Sequence, residues 1–279
     1  MKHRVVVFGS LGFVGSAIVK TLASQNIEVK GITRETADFA KASSKSKIFN
    51  IIEDGDIAVL AAARAPAKNL EMIIENVKII TNITEAIREK SPSYVLNISS
   101  DAVYGDPEGL IDEDSEMSAL NSHGIMHLVR EKIVEQRLRC PIGHIRPTLI
   151  FGPNDPHNGY GPNSFLRSVL DGKNLFLFGE GEEERDHIHI NDVANVCARM
   201  IEKKVTGGVN AATGEVTSFS EIANILKKFS PKDFDVRSKP RNGPMPHRGY
   251  RAFSNGRLRN LMGDYQFTSM KSYFEEVLS

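Results

Sequence analysis

His123 and His127 stand four residues apart in the stretch NSHGIMHLVREKIVE, residues 121–135. The pattern is that of an amphipathic helix, and on a helix residues i and i+4 share one face. An imidazole titrates near pH 6.5, so a histidine here is a competent proton acceptor or donor near neutrality. The same spacing suits a metal pair, with Asp101 as a third ligand. Two helix ligands are too few, however, and no glutamate lies between them as in a HExxH zinc site, so we expect no metal. The plain alternative is a pair of helix histidines with no special role. A second group of reactive side chains closes the stretch SYVLNISSDAVYG, residues 93–105, which reads as a buried strand ending in Ser100, Asp101 and Tyr104. A carboxylate at the C-terminal end of a parallel strand lies where α/β sites form, although a turn-capping aspartate reads equally well. His187 and His189, in RDHIHINDV, alternate along a strand and face one side. We read them as structural, with Asp192 capping the following helix.

These residues need a scaffold, and the first thirty-five positions supply the clearest part of it. Val5–Phe8 is a short apolar run of the kind that forms a buried parallel strand. Gly9, Gly12 and Gly15 follow at a spacing of three, and Ile18, Val19 and Leu22 then recur at helical spacing. Ile27–Ile32 is a second apolar strand. That order is the βαβ unit of a dinucleotide-binding fold. Gly9 allows the sharp turn out of the strand, Gly12 lets the backbone approach a pyrophosphate, and Gly15 lets the helix pack closely on the sheet. The helix N-terminus offers free N–H groups to the phosphates. At the end of the second strand an acidic residue would bind the ribose 2′-hydroxyl of NAD. Thr33 and Arg34 stand there instead. A hydroxyl and a planar guanidinium suit a 2′-phosphate, so we expect NADP, with NAD as the alternative.

The remaining motifs continue the alternation. DIAVLAAARAP (56–66) is a buried strand ending in small residues, against which a flat cofactor can lie, and IIENVKIITNITEAI is the next helix. IGHIRPTLIFGPND is a strand followed by a Gly-Pro turn, and GEGEEERDHIHINDVANV is a turn, a short strand and a helix start. The 279 residues are 41% hydrophobic and 25% charged, enough for one large domain or two modest ones. The formal net charge is zero, which gives no reason to expect nucleic acid or an anionic membrane as a partner. No apolar run approaches a bilayer span, and the first strand begins too early for a signal peptide. With Cys140 and Cys197 read as free thiols in apolar surroundings, we expect a cytoplasmic protein.

In these motifs and their order, the chain resembles the extended short-chain dehydrogenase/reductase family, in its NAD(P)-dependent epimerase/dehydratase branch acting on nucleotide sugars. The resemblance rests on Gly9, Gly12 and Gly15, on DIAVLAAAR, on Asn76 in its helix, on SSDAVYG (99–105), on RPTLIFGP (146–153) and on RDHIHINDVA (185–194). It implies an α/β fold, a Rossmann-type doubly wound parallel sheet with a smaller C-terminal substrate-binding lobe. Residues 1–152 would form the NAD(P)-binding domain, completed by part of 186–212, and residues 153–279 mainly the lobe. By position, the resemblance puts Phe8, Leu11, Gly12, Phe13 and Val14 near the cofactor phosphates and Asn50 and Ile51 near the adenine. Ala61, Ala62 and Ala63 would border its ribose and pyrophosphate, and Pro147 and Thr148 would flank the nicotinamide. Tyr104, Asn163, Ser164 and Arg185 would face the nucleotide sugar, with Arg241 or Arg248 adding a phosphate contact.

The family carries a Tyr-xxx-Lys pair on the helix after the SS…VYG strand. Aligning Gly124 and Glu131 on its pattern puts His123 on the tyrosine and His127 on the lysine. Two readings follow. In the first, the chain is an NADP-dependent oxidoreductase or isomerase (epimerase, dehydratase or reductase) of a nucleotide-activated sugar. Ser100 orients the reacting oxygen, His123 exchanges its proton and His127 positions the ribose. In the second, the chain is a catalytically silent NADP-binding sensor or accessory protein. Asp101 matches the aspartate of a dehydratase Ser/Thr-Asp-Glu motif, but Ala102 replaces the glutamate. The resemblance also implies a homodimer through the helices NVKIITNITEAIREK and GIMHLVREKIVEQRL.

Overall fold

The computed structural model describes residues 4–279. The first half alternates strand and helix: β1 (Val5–Phe8), α1 (Phe13–Ser24), β2 (Val29–Ile32), α2 (Ser44–Ile51), β3 (Ile57–Leu60), α3 (Leu70–Ile87), β4 (Tyr94–Ile98), α4 (Ser122–Arg137) and β5 (Ile142–Pro147). Every residue of β1, β3 and β4 is buried, as a parallel strand covered on both faces requires. The main sheet has the order β2-β1-β3-β4-β5-β9, where β9 is Gly207–Ala211 from far along the chain. All its pairings are parallel. Alternate residues go to opposite faces: Val5 and Val7 join a core with Ile18 and Leu22 of α1, and Val6 and Phe8 join one with Ile48 of α2 and Ile80 and Ile83 of α3. The second strand is shorter than Ile27–Ile32. It lies at the sheet edge, where Lys30 and Gly31 are exposed.

Past β5 the chain leaves the main sheet. It runs through β6 (Leu149–Phe151), α5 (Pro162–Leu170), β7 (Leu175–Phe178), β8 (Glu184–His189) and α6 (Ile190–Lys203) before returning as β9. Helix α6 packs beside α1 on the first face of the main sheet. The rest comprises β10 (Val216–Ser218), α7 (Phe219–Phe229), β11 (Val236–Lys239), β12 (Tyr250–Arg251), α8 (Gly256–Met262) and α9 (Met270–Leu278). Strand β8 is the centre of a small mixed sheet. It pairs with β10 antiparallel and with β6 and β12 parallel. A separate aromatic core of Phe151, Phe165, Phe219, Phe234 and Phe274 lies under this part. His187 and His189 are buried here, His187 against the Phe219 ring and His189 against Phe151 and Tyr273. The cap of α6 is not the expected one. His189 Nδ1 accepts from the Asn191 N–H at 3.3 Å, whereas Asp192, inside the first turn, is buried and accepts from the Tyr265 hydroxyl and the Thr268 N–H. Among the described residues no helix is long and apolar enough to cross a membrane. Cys140 and Cys197 are free thiols, the second fully buried.

Candidate active site

Chain order reverses at β1: the chain goes first to β2 on one side and then to β3 on the other. A crevice opens at such a switch point, beyond the C-terminal ends of the strands. The glycine turn fills that place. Gly9 has φ +87°, and a Cβ there would sit 2.7 Å from the Ala62 backbone at the end of β3. A Cβ on Gly15 would run into the carbonyl of Gly9, so its absence sets how closely α1 meets the turn. Gly12 is the N-cap of α1 and brings no capping side chain, and the first turn carries no acidic residue. The N–H groups of that turn are left for an anion. This cradle fits a dinucleotide pyrophosphate. Leu11 is exposed, Phe13 and Val14 are half-buried, and Ala61 and Ala62 form the facing wall with Ala63 at its exposed rim. Thr33 caps a turn by accepting from the Thr36 N–H, and the Arg34 side chain beside it is 80% exposed, 4.0 Å from Asp38.

Two strands along, β4 ends in Ser99, Ser100 and Asp101. Ser99 turns inward and donates to Glu131 of α4 at 2.5 Å. Ser100 turns the other way. Its Oγ accepts from the Ala102 N–H and donates to Asp101 Oδ1 at 3.1 Å, closing a tight turn over 101–103. Helix α4 rests on that turn. Its Gly124 lies against the Ala102 carbonyl so closely that no side chain fits, and the Asn121 side chain caps the helix by accepting from the Gly124 N–H at 2.9 Å. The next position toward the N-terminus is His123, which is thereby brought beside Asp101. His123 and His127 meet edge to face with ring centroids 4.6 Å apart. The Nδ1 edge of each ring is buried without a partner, leaving Nε2 as the accessible edge. Burial pushes the His123 imidazole below its usual range; Asp101 opposes this, and His157 on the 152–161 loop adds to it. His127 is pushed further down by burial, with His123 and Arg130 acting in the same sense. Both rings are therefore neutral at pH 7.

Behind the helix lies a buried polar network. Arg146 of β5 makes a two-pronged pair with Glu131, Nε to Oε1 at 2.9 Å and Nη2 to Oε2 at 2.7 Å. Its Nη1 donates to the Tyr104 hydroxyl, which donates to Asn210 of β9. On the other side Arg251 of β12 ties the 101–106 turn to the lobe. It donates to the Asp101 and Gly105 carbonyls, pairs with Asp106 at 2.7 Å and reaches Asp101 Oδ2 at 3.3 Å. Asp101 thus has one oxygen on Ser100 and the other on Arg251. A cavity of about 220 Å³ adjoins this clamp, lined by Asp106, His247, Arg248 and Arg251.

Several expected contacts fall elsewhere. Asn50 and Ile51 do not border the crevice. Helix α2 runs back down the sheet, and Arg4, ahead of β1, donates to the Ile51 carbonyl, which puts both residues at the opposite edge. Tyr104 is 1% exposed with its hydroxyl spent in the Arg146 network, so it has no atom for a substrate. Asn163 is also buried. Its amide accepts from the Gly152 N–H and donates to Ile150 and Asp155, a brace for the 150–155 loop. The Ser164 hydroxyl bonds the Gly161 carbonyl at the start of α5. The Thr148 hydroxyl is committed to Asp186 and its N–H to the Ala211 carbonyl, so beside buried Pro147 neither of its donors remains for a ligand. Arg185 and Arg241 both pair with Glu183, and Arg248 is exposed, 3.9 Å from Glu108. The sequence reading missed Arg130, Glu131, Arg146 and Arg251. The first was legible in principle, since position 130 shares a helix face with 123 and 127. Nothing in the sequence ties Arg251 to Asp101, 150 residues away.

The sequence pattern of the NAD dependent epimerase/dehydratase family matches residues 5–212, and the chain belongs to that family. A protein of Methanocaldococcus jannaschii with the provisional name UDP-glucose 4-epimerase is 27% identical over 267 residues, 86% of this chain and 87% of its own. The GDP-6-deoxy-D-talose 4-dehydrogenase of Aggregatibacter actinomycetemcomitans is 26% identical over 288 residues, 98% of this chain and 96% of its own. The structure of UDP-glucose 4-epimerase from Thermus thermophilus in complex with NAD shares the fold, with a TM-score of 0.82 at 22% identity, covering 98% of this chain and 96% of that one.

Proposed function

We propose that the chain is an NADP-dependent oxidoreductase or isomerase of a nucleotide-activated sugar, with His123 as its proton-transfer group. The observation that carries this is the neutral His123 imidazole held beside the Ser100–Asp101 turn. Family membership supplies the reaction class, and the names of both relatives contain a nucleotide sugar. The bound nicotinamide would supply or accept a hydride at C4. The Ser100 hydroxyl, fixed by Asp101 and the Ala102 N–H, orients the reacting sugar oxygen. His123 takes the proton of that hydroxyl when the sugar is oxidised and returns it on reduction. The resemblance read from the sequence aligns it with the family's tyrosine, and an imidazole reaches less far than a phenol, so the sugar would sit closer or a water would bridge. His127 presents Nε2 toward the cofactor ribose, but as a neutral ring, without the charge a lysine would bring.

Arg34 supports NADP over NAD, since no carboxylate at position 33 or 34 awaits a 2′-hydroxyl and the guanidinium is exposed. Exposed Ile74 of α3 and Ile125 of adjacent α4 support a homodimer through these helices. Nicotinamide absorbance, followed with a panel of UDP-, GDP- and dTDP-sugars, tests the reaction. Turnover of at least one is expected, and His123→Phe should lower it roughly 100-fold with dinucleotide affinity kept. Dinucleotide binding without turnover of any nucleotide sugar would refute the enzyme reading in favour of a silent binding protein.

A further inference from the structure

Among the described residues four arginines are buried: Arg130, Arg146, Arg185 and Arg251. Arg146 has Glu131, Arg185 has Glu183, and Arg251 has Asp101 and Asp106. Arg130, fully buried on α4, has no carboxylate. Nη1 donates to the Ala62 carbonyl at 3.0 Å, Nη2 reaches the Leu60 carbonyl at 3.4 Å, and Nε has no partner. Burial brings its pKa down to about 10, which leaves it a cation at neutral pH. Leaving one charge buried and unpaired is costly, and folds seldom retain it without a use.

Its surroundings point to the use. Arg130 lies one turn beyond His127 on the face shared with His123. The charged and titratable groups around the two rings are few. From the β4 turn comes Asp101, which favours the His123 imidazolium although Arg251 pairs with it. From the 152–161 loop comes His157. Glu131 is adjacent in sequence but is spent on Arg146 and Ser99. At His127 the charge of Arg130 acts in the same sense as burial and the neighbouring His123 ring, through a low-dielectric interior. We propose that Arg130 is a positioning residue whose uncompensated charge adds to burial in keeping His127 neutral, so that the ring packed against His123 stays uncharged. This rests on the proton-transfer reading above.

The test separates charge from structure and needs no substrate. Imidazole titrations by NMR on the substrate-free protein are compared for wild type, Arg130→Gln and Arg130→Lys. Glutamine keeps a donor for the Ala62 carbonyl and removes the charge; lysine keeps the charge and loses the fork. The His127 midpoint is expected to move upward in Arg130→Gln and to stay at its wild-type position in Arg130→Lys. A His127 midpoint unchanged in the glutamine variant, or shifted alike in both, would overturn the proposal, and so would a wild-type His127 that titrates at or above pH 6.5. Should the glutamine variant not fold, Arg130→Met, equally uncharged, takes its place in the same comparison. A failed turnover assay bears only on the reaction.

Discussion

Arg146 and Arg130 are both buried against the middle of α4, one paired with Glu131 and the other its neighbour in sequence, yet they are held in opposite ways. Arg146 is matched donor for acceptor, and its pKa rises because Glu131 and Tyr104 outweigh the cost of burial. Glu131 in turn stays below the usual carboxylate range: burial pushes it up, and the bonds from Arg146 and Ser99 more than offset that. Together they hold α4, β4, β5 and β9 in register. Arg130 has only carbonyls, and its pKa falls. A paired buried charge is a brace, whereas an unpaired one is a source of field. The difference lies in the neighbours, since the two side chains are chemically identical. It separates the residues that build the site from those that tune it.

The comparison breaks most visibly on the paired side. Glu131→Gln leaves the Arg146 charge buried without a partner, and we expect a loss of about 3–5 kcal/mol in unfolding free energy. Urea denaturation measures it, and a change under about 1 kcal/mol would mean that water or relaxation rescues Arg146. A third arginine gives an exposed reference. Arg34→Ala should cost about 1.5–3 kcal/mol in NADP affinity and nothing in NAD affinity, read by calorimetry. Equal affinity of the wild type for both dinucleotides would remove the basis for NADP.

The smallest effect per group sharpens the unpaired side through pH. His123, His127, His187 and His189 are all held low by burial, His187 at about 3. Unfolded, each binds a proton near pH 6.5; folded, each resists it. Below pH 6.5 the unfolded chain therefore holds more protons, and stability falls with falling pH. The slope is roughly 1.4 kcal/mol per pH unit for each ring that stays neutral. Asp186 works the other way: burial raises it to about 6, so the fold keeps its proton and one ring's worth of slope is cancelled between about pH 4 and 6. Urea midpoints at pH 7.5, 6.5 and 5.5 should decline in that order. Equal stability at 7.5 and 5.5 would show that the rings are charged in the fold.

The glycine turn was legible because its chemistry is local. Gly9, Gly12 and Gly15 lie within seven residues, and each answers a backbone demand that the neighbouring strand and helix already state. The helix with His123 and His127, and the strand ending in Ser100, were legible for the same reason: periodicity and capping act over one or two turns. The same locality misled at Asn50 and Ile51, where sequence order stood in for position on the sheet. Helix α2 carried them to the far edge.

What the sequence by itself determined is the set of elements, their alternation and the chemistry of the side chains at the strand ends. The tertiary structure alone decided which polar groups are free. Tyr104, Asn163 and Thr148 resemble ligand contacts in one dimension and are spent on Arg146, Asp155 and Asp186 in three. Arg130 resembles a solvated helix charge beside Glu131 and Lys132, and is fully buried. Hydrogen-bond satisfaction and desolvation depend on groups far apart in the chain meeting at hydrogen-bond distance, and no local pattern encodes that meeting.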